Sequence, residues 1–276
     1  MIMRDPRGLE ARTEANRAAW NQKADDHFGS GFYDVDGFRG RADALTLRPP
    51  ERELVGEVRD QALLHLQCHF GLDTLSWARL GARVTGVDLS DRSIDLAREL
   101  AETTGLAATF VRGDAQDLDP AWDAAFDAVV TSYGVLCWLS DLGRWARGIA
   151  RALRPGGRFA LVEFHPLMDL IHPGKLTGRA SYFPAGPFES RERGSYAAPA
   201  ASFEVTEYLW QHPVGEVVSA LAVAGLVIEV LAEYPYCSYP LFPELDRERD
   251  GRWERGDGQA VAPYMYGVRA RRPLER

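Results

Sequence analysis

LLHLQCHFGLDTLSWARLGARVTGVDLS, residues 63–90, reads as a strand, a turn, a short helix and a second strand. Ala62, Leu63, Leu64 and Leu66 make an apolar β-rich run, and the turn after it closes at Gly71. Leu72, Leu75 and Ala78 share one helical face until Gly81 stops the pattern. A second apolar run at 84–87 ends on Asp88. Nucleotide-binding α/β folds deliver a ribose-binding carboxylate about 20 residues after such a turn. Gly71 lets the backbone approach a ligand where a side chain would block it. The turn itself, Gln67-Cys68-His69-Phe70-Gly71, lacks the G-x-G-x-x-G spacing that a dinucleotide pyrophosphate requires.

Around this unit lies an ordinary globular composition. The chain has 276 residues, 46% hydrophobic and 26% charged, enough for a full core in one large domain with decorations. A net charge of −8 argues against a broad electrostatic footprint for DNA or RNA. No apolar run is long enough to span a bilayer, and the N-terminal text has no apolar leader core, so neither membrane insertion nor secretion is expected. Cys68, Cys137 and Cys237 are widely spaced and odd in number, which suits reduced thiols in a cytoplasm.

Working outward, residues 10–28 are helix-like and 29–50 are aromatic and glycine-punctuated. We expect a cap over 1–50, with Phe32 and Tyr33 on a lid. Trp20 suits either a lid or a helix covering the sheet edge. Residues 51–276 form the main domain. Ser90 stands at a helix N-cap position before the face Ile94, Ala97, Leu100 and Ala101, which Gly105 ends. Strands are expected at 108–112, 126–132 and 158–164, with an amphipathic helix through Leu142, Trp145, Ile149 and Leu153 between the last two. Residues 165–203 show no period but many aromatics, so an inserted substrate cap is expected there. Strand-like text follows at 203–210, 226–231 and 264–270, and 234–259 offers a second substrate wall through Tyr236, Tyr239, Phe242 and Trp253.

Asp88 after a strand, the GDAQDL segment at 113–118, FDAVVTS at 126–132 and LRPGGRFALVEF at 153–164 occur in one order and at one spacing. Together they resemble the class I S-adenosylmethionine (SAM)-dependent methyltransferases, closely over 60–165. The 63–90 stretch is similar to that family's first motif, D-x-G-C-G-x-G, in its LQCHFG form. Cys68 and Gly71 agree with it, whereas His65, Gln67 and His69 stand in place of Asp, Gly and Gly. The resemblance implies an α/β, Rossmann-like, doubly wound sheet of seven mostly parallel strands whose last strand is antiparallel. It implies S-adenosyl-L-methionine as cofactor and S-adenosyl-L-homocysteine as product. Gln67, His69 and Gly71 would lie along the methionine and ribose. Asp88 and Leu89 would hold the ribose, Asp114 and Ala115 the adenine, and Ser132 and Tyr133 the methionyl part.

For the acceptor side, His165 follows the fifth strand at the carboxyl edge of the sheet and is the candidate base. A histidine bonded to a loop carbonyl is the equal alternative. Trp20, Phe32, Tyr33, Tyr182 and Tyr236 are the candidate substrate contacts. Trp77, Trp138 and Trp145 read as packing. No helical i, i+4 histidine pair or C-x-x-C is present, so no metal is expected. These readings converge on a methyltransferase for a nitrogen or oxygen atom of a small molecule. RNA or protein methylation, and a non-catalytic binding or scaffold role, are the alternatives. The altered glycine turn favours the scaffold.

Overall fold

A computed structural model of the chain describes residues 6–172, 181–183 and 186–274. The expected cap at 165–203 therefore has 173–180 and 184–185 outside the described residues. Before the sheet come α1 (Pro6–Phe28), α2 (Val35–Gly40) and α3 (Pro49–Val55). Then β1 (Ala62–Leu66), α4 (Leu72–Arg79), β2 (Arg83–Asp88), α5 (Asp91–Thr104) and β3 (Ala108–Arg112) alternate. They are followed by β4 (Phe126–Ser132), α6 (Leu142–Ala152), β5 (Leu153–Phe164) and the short α7 (Met168–Ile171). The remainder is β6 (Phe188–Arg193), β7 (Glu204–Leu209), α8 (Val214–Val223), β8 (Val227–Tyr234), β9 (Leu245–Arg249), β10 (Arg252–Arg255) and β11 (Met265–Arg271).

Seven strands pair in the order β3-β2-β1-β4-β5-β11-β8. The pairs among β1 to β5 are parallel, and β11 runs antiparallel between β5 and β8. β1 is buried on both faces because helices cover both sides, which is why its sequence is a run rather than an alternation. On one face Leu64, Val129 and Leu161 pack with Trp145 and Ile149 of α6 and with Leu221 of α8. On the other, Leu63, Val84 and Val130 pack with Leu54 and Trp77. A third cluster joins Leu72, Leu75, Ile94, Leu100 and Phe110 under the turn after β1. Burying one such leucine contributes about 2 kcal/mol against the entropy of ordering the chain. Ser90 accepts the Ser93 N–H as the N-cap of α5, and Gly105 closes that helix in the left-handed conformation.

The aperiodic 165–203 stretch contains more order than its text suggests. β6 pairs antiparallel with β7 from Phe188 opposite Leu209 to Arg193 opposite Glu204, as a separate two-stranded arm. FESRER is largely exposed, so no buried face imposed an alternation on it. The arm rests on α1, where Asn16 donates to the Tyr208 carbonyl at 2.8 Å and accepts the Tyr208 N–H at 2.7 Å. β9 and β10 form a second small hairpin within 234–259. Among the described residues no helix is long and apolar enough to cross a membrane.

Candidate functional site

Parallel strands end together, and the loops after β1, β2, β4 and β5 open on one cavity of about 490 Å³. Its roof comes from α1, the segment after it, and the β6–β7 arm.

The turn after β1 is locked by two backbone bonds, Cys68 N–H to Val87 O and Gly71 N–H to Cys68 O, each 2.9 Å. Gln67 and His69 hold φ of 55° and 52°. They keep the left-handed backbone that glycine adopts freely and a side chain adopts at a cost of about 1–2 kcal/mol. The residues that stand in place of the resembling motif's glycines thus hold a backbone that glycine would favour. Gln67 donates from Nε2 to the Val135 carbonyl at 2.8 Å. Its Oε1, and Nε2 of His69, are closed to solvent and have no protein partner although both residues line the cavity. Buried polar atoms of this kind call for a ligand or water to complete them.

Gly71 serves another purpose than the one expected. It does not line the cavity, and a Cβ there would sit 2.6 Å from Cζ of Phe110 at a φ of +83°. Packing beneath the turn, rather than approach of a ligand, requires this glycine.

Asp88 accepts the N–H of His69 and of Ser90, at 2.8 and 2.9 Å, and faces the cavity with Leu89 beside it. Burial raises its pKa to about 6, against the opposing effect of those backbone donors. Asp114 accepts the Gln116 N–H at 2.8 Å, and Ala115 is buried next to it. Gln116 in turn accepts from Asp141 N–H at 2.7 Å, which ties this end to the start of α6. Ser132 and Tyr133 line the cavity at the end of β4, with the Tyr133 hydroxyl accepting from Ser238 at 3.2 Å. Eight of the nine cofactor positions expected from sequence, all but Gly71, therefore surround one space.

On the acceptor side the outcome divides. Trp20, Phe32 and Tyr33 line the cavity. His165 does not: its Nε2 lies 3.1 Å from Glu233, its Nδ1 accepts the Leu167 N–H at 3.2 Å, and the ring is buried against Tyr266. The base expected at 165 is closed off from the site. Tyr236 packs in its own cluster under the Arg252 guanidinium, 4.8 Å away, and the Tyr182 hydroxyl sits 3.4 Å from the Val214 N–H at the start of α8. Neither lines the cavity, and Tyr239 and Tyr196 stand where those contacts were expected.

Three features were missed or misweighted. Glu163, a strand residue in the text, accepts N–H groups of Gly134, Val135, Leu136 and Phe164 at 2.5–2.9 Å and so shapes the loop after β4. Trp138, read as packing, lines the cavity with its ring 5.3 Å from Trp20. Lys23 of α1 and Glu207 of β7 form a buried ion pair at 2.5 Å in the wall, with Glu192 at 3.7 Å. Lys23 is the sole Lys or Arg among the described lining residues, against Asp73, Glu163, Asp169, Glu192 and Glu207 outside the proposed ribose and adenine positions. Among the described residues no group of three His, Cys, Asp or Glu side chains could hold a metal ion.

Residues 64–161 match the family described as a methyltransferase domain. Over 86 residues the chain is 38% identical to a demethylmenaquinone methyltransferase of Thermus thermophilus, covering 31% of this chain and 38% of that one. It is 29% identical over 159 residues to a ubiquinone biosynthesis O-methyltransferase of Xanthomonas euvesicatoria, covering 55% and 65%. The chain thus spans about a third to a half of the length of the first curated relatives it matches. The structure of a SAM-dependent methyltransferase from Mesorhizobium loti superposes with a TM-score of 0.55 at 24% identity, covering 86% of this chain and all of that one. One from Methanosarcina mazei gives 0.57 at 20% identity, covering 84% and 100%.

Proposed function

We propose that the chain, whose residues 64–161 match a methyltransferase domain, is a class I SAM-dependent methyltransferase that methylates a nitrogen or oxygen atom of a small molecule. S-adenosyl-L-methionine would be the donor and S-adenosyl-L-homocysteine the product. The observation that carries the reading is that Asp88 and Asp114, at the ends of neighbouring strands, face the same cavity as the unpartnered Gln67 Oε1. A carboxylate at 88 suits a ribose diol, and 114–115 suits an adenine edge with its amino group. Gln67 Oε1 suits an ammonium. When bound, the cofactor supplies an electrophilic methyl group on a sulfonium that leaves as a neutral thioether.

The protein's own contribution is then positioning, which can supply about 7–11 kcal/mol of the barrier to an in-line displacement. Glu163 fixes the 134–136 loop beside the site. A ring-lined cavity of about 490 Å³ favours a compact acceptor over a polymer. Its acidic wall disfavours carboxylate and phosphate acceptors. We further propose that the described N-terminal cap, residues 6–50, and the inserted arm work as one roof, since α1 and β7 bond to each other.

Calorimetric titration with SAM, S-adenosyl-L-homocysteine and NADH tests this. We expect the first two to bind at micromolar concentration and NADH not to bind. Failure of both adenosyl ligands would sink the reading and turn attention to a scaffold role, for which the side chains at 67 and 69 are the supporting observation.

A further inference from the structure

His65 stands where the resembling motif has an aspartate, so the end of β1 lacks that carboxylate. The fold brings in another from the next helix. Asp73 occupies the first turn of α4, and both it and His65 line the cavity. Thr74, which follows Asp73 in that turn, pairs its hydroxyl with His65 Nδ1 at 2.8 Å. Burial lowers the His65 pKa, and the Asp73 charge is what opposes that shift. The ring is thereby neutral near pH 7.

Each of the two side chains has one polar atom engaged by the protein and one that is not. Asp73 Oδ1 accepts the Thr46 hydroxyl, while Oδ2 has no hydrogen-bond partner among the described residues. His65 is 3% exposed, and with Nδ1 on Thr74 its Nε2 is likewise without one. Unlike Nε2 of His69, neither atom is sealed from solvent, so both open on the cavity. No cation of the described wall answers Asp73. Lys23 is engaged by Glu207, and Arg48, 5.0 Å from the Tyr239 ring, does not line the cavity. The phenols of Tyr33, Tyr133 and Tyr239 are held un-ionised by burial, and the Asp73 charge adds to that. A carboxylate in a ring-lined wall with no cation paired to it calls for a positive ligand.

Resting on the methyltransferase reading above, we propose that Asp73 and His65 seat the ammonium group of the cofactor's methionine part. Asp73 Oδ2 meets its charge, and His65 Nε2 accepts one of its N–H bonds, in addition to Gln67 Oε1. The chemistry of the two free atoms selects the group. A carboxylate finds repulsion at Asp73 and no donor at a ring whose proton is on Nδ1. The sulfonium carries charge but no N–H, so it leaves His65 unanswered. A primary ammonium brings the charge and three donors together. Seated there, it ties the methionine arm to β1 and α4, while Asp88 and Asp114 take the adenosyl end after β2 and β3. The sulfonium between these anchors is then held for in-line attack.

The test uses the full chain and three ligands at pH 7.5. They are S-adenosyl-L-homocysteine, its des-amino analogue 5′-S-(3-carboxypropyl)-5′-thioadenosine, and 5′-methylthioadenosine, which lacks the whole amino-acid part. We expect wild type to bind S-adenosyl-L-homocysteine at least tenfold tighter than the des-amino analogue, which leaves Asp73 unpaired. Asp73→Asn keeps an acceptor for Thr46 but removes the charge. It should cut the preference to about threefold or less and change 5′-methylthioadenosine affinity less than twofold. Equal affinity of wild type for the first two ligands overturns the proposal. So does an Asp73→Asn variant with the wild-type preference, which would give the carboxylate to the acceptor. So does one that loses 5′-methylthioadenosine in step with S-adenosyl-L-homocysteine, which would make Asp73 a structural residue. Should the variant fail to fold, ¹⁵N-histidine NMR of wild type decides, since the His65 Nε2 resonance must move with S-adenosyl-L-homocysteine and not with the des-amino analogue. Failure of wild type to bind any of the three would overturn the methyltransferase reading and the ammonium seat with it.

Discussion

Asp88 accepts the backbone N–H of His69 at 2.8 Å, so the carboxylate proposed to hold a ribose also fixes the turn that replaces the family's glycines. One side chain thus links the proposed ribose position after β2 to the backbone conformation of the turn after β1.

Titration of Asp88 makes cofactor affinity pH-dependent. Burial raises Asp88 to about 6, so the carboxyl is mostly protonated below that value and mostly ionised above it. Ribose hydroxyls donate to the ionised form. We expect S-adenosyl-L-homocysteine affinity to be full at pH 7.5 and to fall roughly tenfold by pH 5, following the ionised fraction. Asp88→Asn should remove the pH dependence and lose about 1.5–3 kcal/mol of binding at pH 7.5. The raised pKa has the opposite sign for folding: ionisation costs the folded state, so this group's contribution weakens as pH rises from about 4 to 6. Titration calorimetry between pH 5 and 8 checks the first statement, and a flat profile in wild type would refute it.

Two glycines with similar backbone conformations should respond very differently to alanine. At Gly71 the new Cβ meets the Phe110 ring at 2.6 Å, whereas at Gly105 it meets nothing within 4 Å. Gly105→Ala should cost about 1 kcal/mol, from the left-handed backbone alone. Gly71→Ala adds displacement of a core ring and should cost about 2–4 kcal/mol. Urea melts of the two variants would settle it, and equal costs would show that Phe110 yields freely.

The sheet was legible because its information is periodic. Runs such as 62–66, 126–132 and 158–164, separated by helical faces, dictate alternating elements, and acidic residues at strand ends then fall at the carboxyl edge. Asp88 was visible for that reason, and Asp114 through the family resemblance of the segment after β3. His165 also stands after a strand, but its partner Glu233 belongs to β8, which reaches it only through the antiparallel pairing with β11. Tyr236 likewise turns to Arg252, brought back by the β9–β10 hairpin. No local pattern encodes such pairings. Glu163 was legible as a carboxylate in a strand, open to orienting His165 or a ligand amine or to a hydrogen bond at the strand edge, but no local pattern shows that three consecutive N–H groups of another loop end on it.

Glu163 gives a stability prediction of its own. Its two oxygens satisfy four backbone donors, and burial raises its pKa against their pull. Glu163→Ala leaves donors at 134–136 without that acceptor. We expect a loss of about 3 kcal/mol and a drop in melting temperature of roughly 6–12 °C. Glu163→Gln keeps one acceptor oxygen but turns an amide N–H₂ toward donors, and should fall between alanine and wild type. Scanning calorimetry measures both. An unchanged melting temperature in Glu163→Ala would mean that the loop finds other acceptors.

The roof depends on Lys23 and Glu207, which join α1 to the arm although 184 positions separate them. Both are almost wholly buried, so neither can be left charged alone without several kcal/mol of cost. We expect Lys23→Met and Glu207→Leu each to destabilise by about 3–5 kcal/mol. The double variant should lose far less than their sum, because replacing both charges removes the desolvation cost along with the attraction. Glu192, half exposed and 3.7 Å from the ammonium, is the nearby carboxylate that could sustain Lys23 when Glu207 is lost. Adding Glu192→Gln to Glu207→Leu should therefore deepen the loss, while adding it to the double variant should not. Simple additivity across this set, measured by denaturant melts, would mean that the caps are held by their other bonds and that the pair is incidental to the roof.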